Sequence, residues 1–180
     1  MNKIDVNINK LNGINQWISN VDTKSSIIFT FFGIIITIIF TSKIGENIIH
    51  ILSYKTANEI NTITFVNFIL CWLVVFLFIV IVLSIYNFFQ TLKGRINPNI
   101  YKQEGLNINS NIFFGTIANK EYLKFEEEVN NETKENFLKD INSQIFINSH
   151  IANQKFKFYN QSLLWTFIAF GTILLIIILE

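Results

Sequence analysis

At 180 residues, with a formal net charge of +1 and nineteen phenylalanines against one proline, seven glycines and one cysteine, the chain excludes several classes from the start. Near-neutrality gives no basic surface for a nucleic-acid partner, and the lone Cys71, inside an apolar run, permits neither a disulfide framework nor a cysteine zinc site. Mean hydropathy is positive, +0.39, and with so few turn-forming residues this points to long helices and a lipid bilayer rather than a small β-sandwich.

In residues 1–24, Ile4, Ile8, Leu11, Ile14 or Asn15, Ile18 and Val21 recur at alternating spacings of three and four, which places one apolar stripe along a helix. Nothing between Val21 and Ile27 breaks a helix, so the stripe should run directly into a first span at 25–42. That interval is free of charge and close to the lower limit of about 17 residues for crossing a bilayer. It follows a long polar segment and lacks a small-residue cleavage site, so it reads as a retained helix and not a secretory leader. Residues 43–63 read as an external loop. A second span, 64–89, exceeds the roughly 20 residues needed and is the most secure of the three.

Residues 90–162 form a long polar region. Gly94 to Ser110, with Pro98, Gly105 and several asparagines, reads as a loop. IFFGTIANKEYLKF (112–125) is expected to supply a third apolar member to the packing of the two stripes, and EEEVNNETKE (126–135) to be a solvated acidic turn ending in a helix start. Leu138, Ile141, Ile145, Ala152, Phe156, Tyr159 and Leu163 then mark a second stripe, interrupted by Asn148, which leads into a third span at 163–179. The expected fold is an all-α membrane protein with three transmembrane helices, two of them prolonged into the cytoplasm as amphipathic helices of a small bundle.

Lysine and arginine set the orientation. Lys3, Lys10 and Lys24 precede the first span, and Lys93, Arg95, Lys102, Lys155 and Lys157 lie between the second and third, against Lys43 and Lys55 in the intervening loop. The N-terminus and residues 90–162 are therefore expected in the cytoplasm, with 43–63 and the C-terminus outside.

Catalytic signatures are missing. There is no phosphate-binding glycine loop and no GxSxG elbow. His50 and His150 have no carboxylate at a spacing that would form a metal pair or an acid–base couple, and the run Glu126 to Glu128 reads as a solvated face. No acidic or basic residue falls deep in a span, which argues against a proton-coupled pathway. Thr30, Thr37 and Thr172 are expected to bond back to their own helices. Neither a catalytic residue nor a metal ligand is assigned, and an enzyme is not expected.

WISNVDTKSS (17–26), ahead of the first apolar run, resembles the W-x-x-x-A-D-x-K-A-type signature of the Pycsar transmembrane effectors (PycTM), with Val21 where that family more often has alanine. NIFFGTIANKEYLKF (111–125) is similar to its F-F-G-x-I-A segment, and DINSQIFINSHIANQKFKFYNQSLLW (140–165) to its D-x-x-x-Q-I, later alanine, K-[FY]-x-x-[FLY] and closing membrane helix. The resemblance covers nearly the whole chain. It implies an effector of bacterial antiphage defence in the inner membrane, answering cyclic CMP or cyclic UMP made by a partner nucleotide cyclase and acting by damage to the membrane, with growth arrest or death of the cell. The two-span SLATT effectors are the nearest confusable group, and a non-enzymatic membrane scaffold is the rival outside defence.

Under that reading the ligand should contact the membrane-proximal cytoplasmic layer. Lys24, Arg95, Lys155 and Lys157 could meet a cyclic phosphate; Trp17, Phe114 and Tyr159 could stack on a base; Asp22 shares the junction with Lys24. Association of copies into a homo-oligomer within the bilayer is also expected.

Overall fold

A computed structural model describes residues 2–53, 65–94 and 103–179. Six helices are present in them: α1 (Lys3–Thr41), α2 (Lys43–Ser53), α3 (Phe65–Leu92), α4 (Phe114–Ile117), α5 (Tyr122–Asn130) and α6 (Lys134–Leu179). No strand occurs among the described residues. The chain divides into two compact units, the first made of Met1–Val21 and Gly94–Lys155, the second of Asp22–Lys93 and Phe156–Glu180. Helices α1 and α6 belong to both, each without interruption.

In the first unit, the beginnings of α1 and α6 run parallel. Asn7 donates its side-chain amide to Asn142 Oδ1 at 2.9 Å, and Asn148 donates to Asn15 Oδ1 at 2.8 Å. Partner numbers that rise together along both chains mean a common direction. Asn148, the interruption in the second stripe, is thus matched by Asn15 in the first. Leu11, Val21, Ile141 and Ile147 are buried on these helices.

The buried line of α6 differs from the expected one. Ile141 is buried as anticipated, but Leu138, Ile145 and Ala152 are only half-buried, and Asp140, Ser143, Gln144 and Lys155 are buried beside Ile141 and Ile147. Periodicity scored on apolar residues alone overlooks polar side chains that find partners.

The second unit is apolar inside and outside. Its core joins Phe32 of α1, Ile48 of α2, Leu70, Val74, Leu77, Val80 and Phe88 of α3, and Ala169, Ile173 and Ile176 of α6. Phe29 and Phe40 of α1 meet Phe88 and Phe78 of α3 at ring separations of 5.4 and 5.7 Å, so α3 is antiparallel to α1, and Phe32 meets Phe170 of α6 edge-on at 6.0 Å. Outward on the same helices stand Phe31, Ile38, Trp72, Val82, Phe167 and Ile178, all more than half exposed. A helix apolar on every side is stable only inside a large core or in lipid. Among the described residues, three helices are long and apolar enough to cross a membrane, and this is a multi-pass membrane protein. Thr30, Thr37 and Thr172 donate to Ser26 O, Gly33 O and Ile168 O of their own helices, as expected, which removes bare hydroxyls from lipid.

The connection expected to be a loop begins as a helix. After α1 ends, Ser42 Oγ accepts from Ile44 N at 3.3 Å and caps α2, whose Ile44, Ile48 and Ile51 turn to the core. Gly45 makes the corner possible. A Cβ there would lie 2.3 Å from the carbonyl oxygen of Phe40. Of the expected loop at 94–110, residues 95–102, with Pro98 and Lys102, lie outside the described residues; 103–110 is irregular and contains Gly105 at φ +90, a conformation glycine adopts without strain.

Candidate functional site

The first unit contains a polar cluster built where the middle segment lies on α6. Asp140, Ser143 and Gln144 share one face of that helix because residues three and four apart are stacked on it. Asp140 Oδ2 accepts the backbone N–H of Asn111 at 2.8 Å, Ser143 Oγ accepts the N–H of Asn107 at 2.9 Å, and Gln144 Nε2 donates to Ser110 Oγ at 3.2 Å. Ser143 Oγ in turn donates to Lys139 O at 2.8 Å. Asp140 is fully buried, and its second oxygen, Oδ1, has no hydrogen-bond partner.

Ser110 organises the segment that follows. Its hydroxyl oxygen accepts the N–H groups of Ile112 and Phe113, and its carbonyl accepts from Thr116 Oγ1 at 2.6 Å, which folds Phe113–Ile117 into the turn of α4. Beyond it, Lys120 reaches back. Its Nζ donates to Asn111 Oδ1, to Ser110 O at 3.5 Å and to Glu128 Oε2 at 2.6 Å, with the Lys120 side chain 6% exposed. That bond and the lysine's charge hold the Glu128 carboxyl below the usual carboxylate range, against the opposing effect of desolvation and with help from Asn109 and Lys124.

Two expectations for this segment are corrected. Residues 112–125 do not supply a buried apolar member: Phe114, Tyr122 and Leu123 are 72%, 72% and 76% exposed. Phe113, Ile117 and Phe125 are half-buried, so the segment's apolar contribution is partial. The acidic run is also not wholly a solvated turn, because Glu126–Asn130 completes α5 and Glu128 faces Lys120. Only Asn131–Thr133 turns, and Thr133 Oγ1 caps α6 by accepting from Asn136 N at 3.2 Å.

The residues expected to touch a ligand are divided between the units. Trp17, 59% exposed, Phe114 and the buried Lys155 belong to the first; Asp22 and Tyr159, half-buried, and Lys24 and Lys157, exposed, belong to the second. Phe114 lies with its ring 4.7 Å from that of Phe113. Arg95 lies outside the described residues. His150 is exposed and stands edge-on to Phe146 at 4.6 Å. Among the described residues, no three histidine, cysteine or carboxylate side chains converge on a metal position.

Ser110 and Asn111 were not legible because Gln144 and Asp140 lie 34 and 29 positions away, and Lys120 because Asn111 and Glu128, nine and eight positions away, meet it only once the intervening turns have formed. One signal was legible: Asp140 and Gln144, an i, i+4 polar pair, stand on a helix face whose neighbours are isoleucines.

Comparison with known proteins places these features in context. Residues 9–179 match the family described as the Pycsar effector protein domain, PycTM. A similar protein is the Pycsar effector protein GmPycTM of Gulbenkiania mobilis, 35% identical over 164 residues, which cover 88% of this chain and 83% of that protein. No solved structure matches.

Proposed function

We propose the function of this chain from its family: it belongs to the Pycsar effector proteins of the PycTM type. The reading is an effector of bacterial antiphage defence in the inner membrane, which responds to a cyclic pyrimidine nucleotide, cyclic CMP or cyclic UMP, supplied by a partner cyclase. On activation it disrupts the membrane and arrests or kills the cell. The observation that carries the mechanism is that α1 and α6 are each unbroken from the first unit into the second. A ligand that favours one packing of their polar halves therefore turns or shifts their membrane halves, and it does so only to the extent that it binds the two packings unequally.

The proposed ligand contacts are Lys24, Arg95, Lys155 and Lys157 for phosphate and Trp17, Phe114 and Tyr159 for the base, with Asp22 beside Lys24. Exposure of Trp17 and Phe114 supports stacking. The proposed orientation has the N-terminus and the middle segment on the cytoplasmic side; the parallel direction of α1 and α6 supports placing both on one side. Copies are proposed to associate through a shallow groove of about 510 Å³ on α1, lined by Phe29, Thr30, Gly33, Ile34, Thr37 and Ile38. Small residues there permit close backbone approach.

Dye release from liposomes bearing the purified protein, titrated with cyclic CMP, cyclic UMP and purine cyclic nucleotides, tests the reading. Release with one pyrimidine nucleotide, reduced in Lys24→Ala or Tyr159→Ala, is expected. Folded, inserted protein that releases dye with none of them would transfer sensing to another protein or leave a membrane scaffold.

A further inference from the structure

We propose that residues 106–132 form a detachable strap on α6, held by hydrogen bonds to Asp140, Ser143 and Gln144, and that release of this strap is the step that frees the first unit to repack; this rests on the effector reading above. Neither α4 nor α5 has a single buried residue. Leu106, Phe113, Ile117 and Phe125 are half-buried, whereas Ile108, Phe114, Tyr122 and Leu123 face outward at 69–76% exposure. Apolar burial therefore retains the segment only through these four partly buried side chains. Its directional attachment includes three bonds within little more than one turn of α6: Asn107 N to Ser143, Asn111 N to Asp140, and Gln144 to Ser110.

Inside, the strap is better tied to itself than to the helix. Lys120 joins Asn111, Ser110 and Glu128, and Asn109 donates to Glu128 at 3.4 Å, so both arms of the segment would move as one piece. The closed state also has a built-in bias toward opening. Asp140 is fully buried with Oδ1 unbonded, and a buried polar atom without a partner opposes the state that buries it. Lifting the strap hydrates that oxygen. Such a balance, with these bonds and partial apolar burial against one unsatisfied acceptor, is what a two-state element requires, because a ligand can shift only states that lie near each other in free energy.

Hydrogen exchange on the full-length protein in nanodiscs, without nucleotide, tests the strap directly. The amides of Asn107, Asn111, Ile112 and Phe113 are expected to exchange together, ahead of those of residues 147–155 in α6. Gln144→Ala and, more conservatively, Ser143→Ala should each speed the whole set by about two- to tenfold, the effect of one lost hydrogen bond, with α6 unchanged. Amides that exchange independently, or α6 opening along with them, would overturn the strap. Growth of cells expressing the same variants tests its role. Arrest without any nucleotide is expected of a variant whose strap exchanges faster. Faster exchange with the wild-type growth phenotype would refute release as the activating step while leaving a nucleotide-dependent dye release by the wild type untouched.

Discussion

The hydroxyls of Ser84 and Thr166 lie 2.8 Å apart, both buried, and join α3 to α6 within the apolar unit. Ser84 is also within 3.4 Å of Ser162 O, and Thr166 Oγ1 donates to that same carbonyl at 2.8 Å. Three oxygens thus share two protons around one backbone acceptor. In lipid, where no water competes, such a bond persists, although measured examples contribute only about 0.6 kcal/mol on average. A double-mutant cycle of Ser84→Ala and Thr166→Val, read from unfolding in detergent, should give a coupling of about 0.5–1.5 kcal/mol. Strict additivity would mean that the hydroxyls bond only to their own helices.

At the α1–α2 corner, Gly45→Ala forces a methyl group to within 2.3 Å of the Phe40 carbonyl unless the corner opens. Overpacking of this kind costs about 1–3 kcal/mol. The variant should melt earlier and be cleaved more readily near Ser42 by added protease, whereas Gly13→Ala, whose Cβ meets nothing within 4 Å, should be neutral or slightly stabilising. Equal melting of both variants would show that the close approach at the corner is relieved without cost.

Gly33 stands at the floor of the groove on α1, with open space where a Cβ would be. Gly33→Leu should therefore leave the fold of one copy intact, fill the groove and diminish crosslinked dimers and higher species in membranes. Unchanged crosslinking with unchanged folding would move the contact between copies to another face.

The Lys120–Glu128 pair has a pH signature. Because the folded carboxyl lies below its ordinary value, its stabilising contribution is complete above the unfolded carboxylate's range and is lost as the pH falls through the lower, folded value. Between pH 6 and 8 it should be constant. Carbon-detected NMR should show Glu128 titrating below the usual carboxylate range, and Lys120→Met should return it toward that range. A Glu128 that titrates in the usual carboxylate range in the wild type would mean that the ion pair is not maintained in solution.

How much of this was legible in advance follows from the range of each interaction. The three spans, and the continuity of α1 and α6 from polar to apolar sequence, are consequences of local composition, since the length of an apolar run and the 3–4 spacing within it depend on no distant residue. Family membership followed in the same manner from short motifs in order along the chain. The buried line of α6 departs from the expected stripe, of which Ile141 alone is buried, because Asp140, Gln144 and Lys155 would not be assigned to a buried face without knowledge of what neutralises or bonds them.

Only the tertiary structure decided which polar groups meet. Asn7 with Asn142, Asn15 with Asn148, Ser84 with Thr166, and Asn111 with Asp140 are pairs separated by 29 to 135 positions. Each residue alone reads as solvent-facing or as a local helix bond. The reason is physical: apolar burial is non-directional and is announced by composition, whereas a hydrogen bond exists only when two particular atoms are brought within about 3 Å. The sequence by itself determined that this chain crosses a membrane on long helices; the fold determined that its FFG segment is pinned to α6 by Asp140, with one carboxylate oxygen left unbonded.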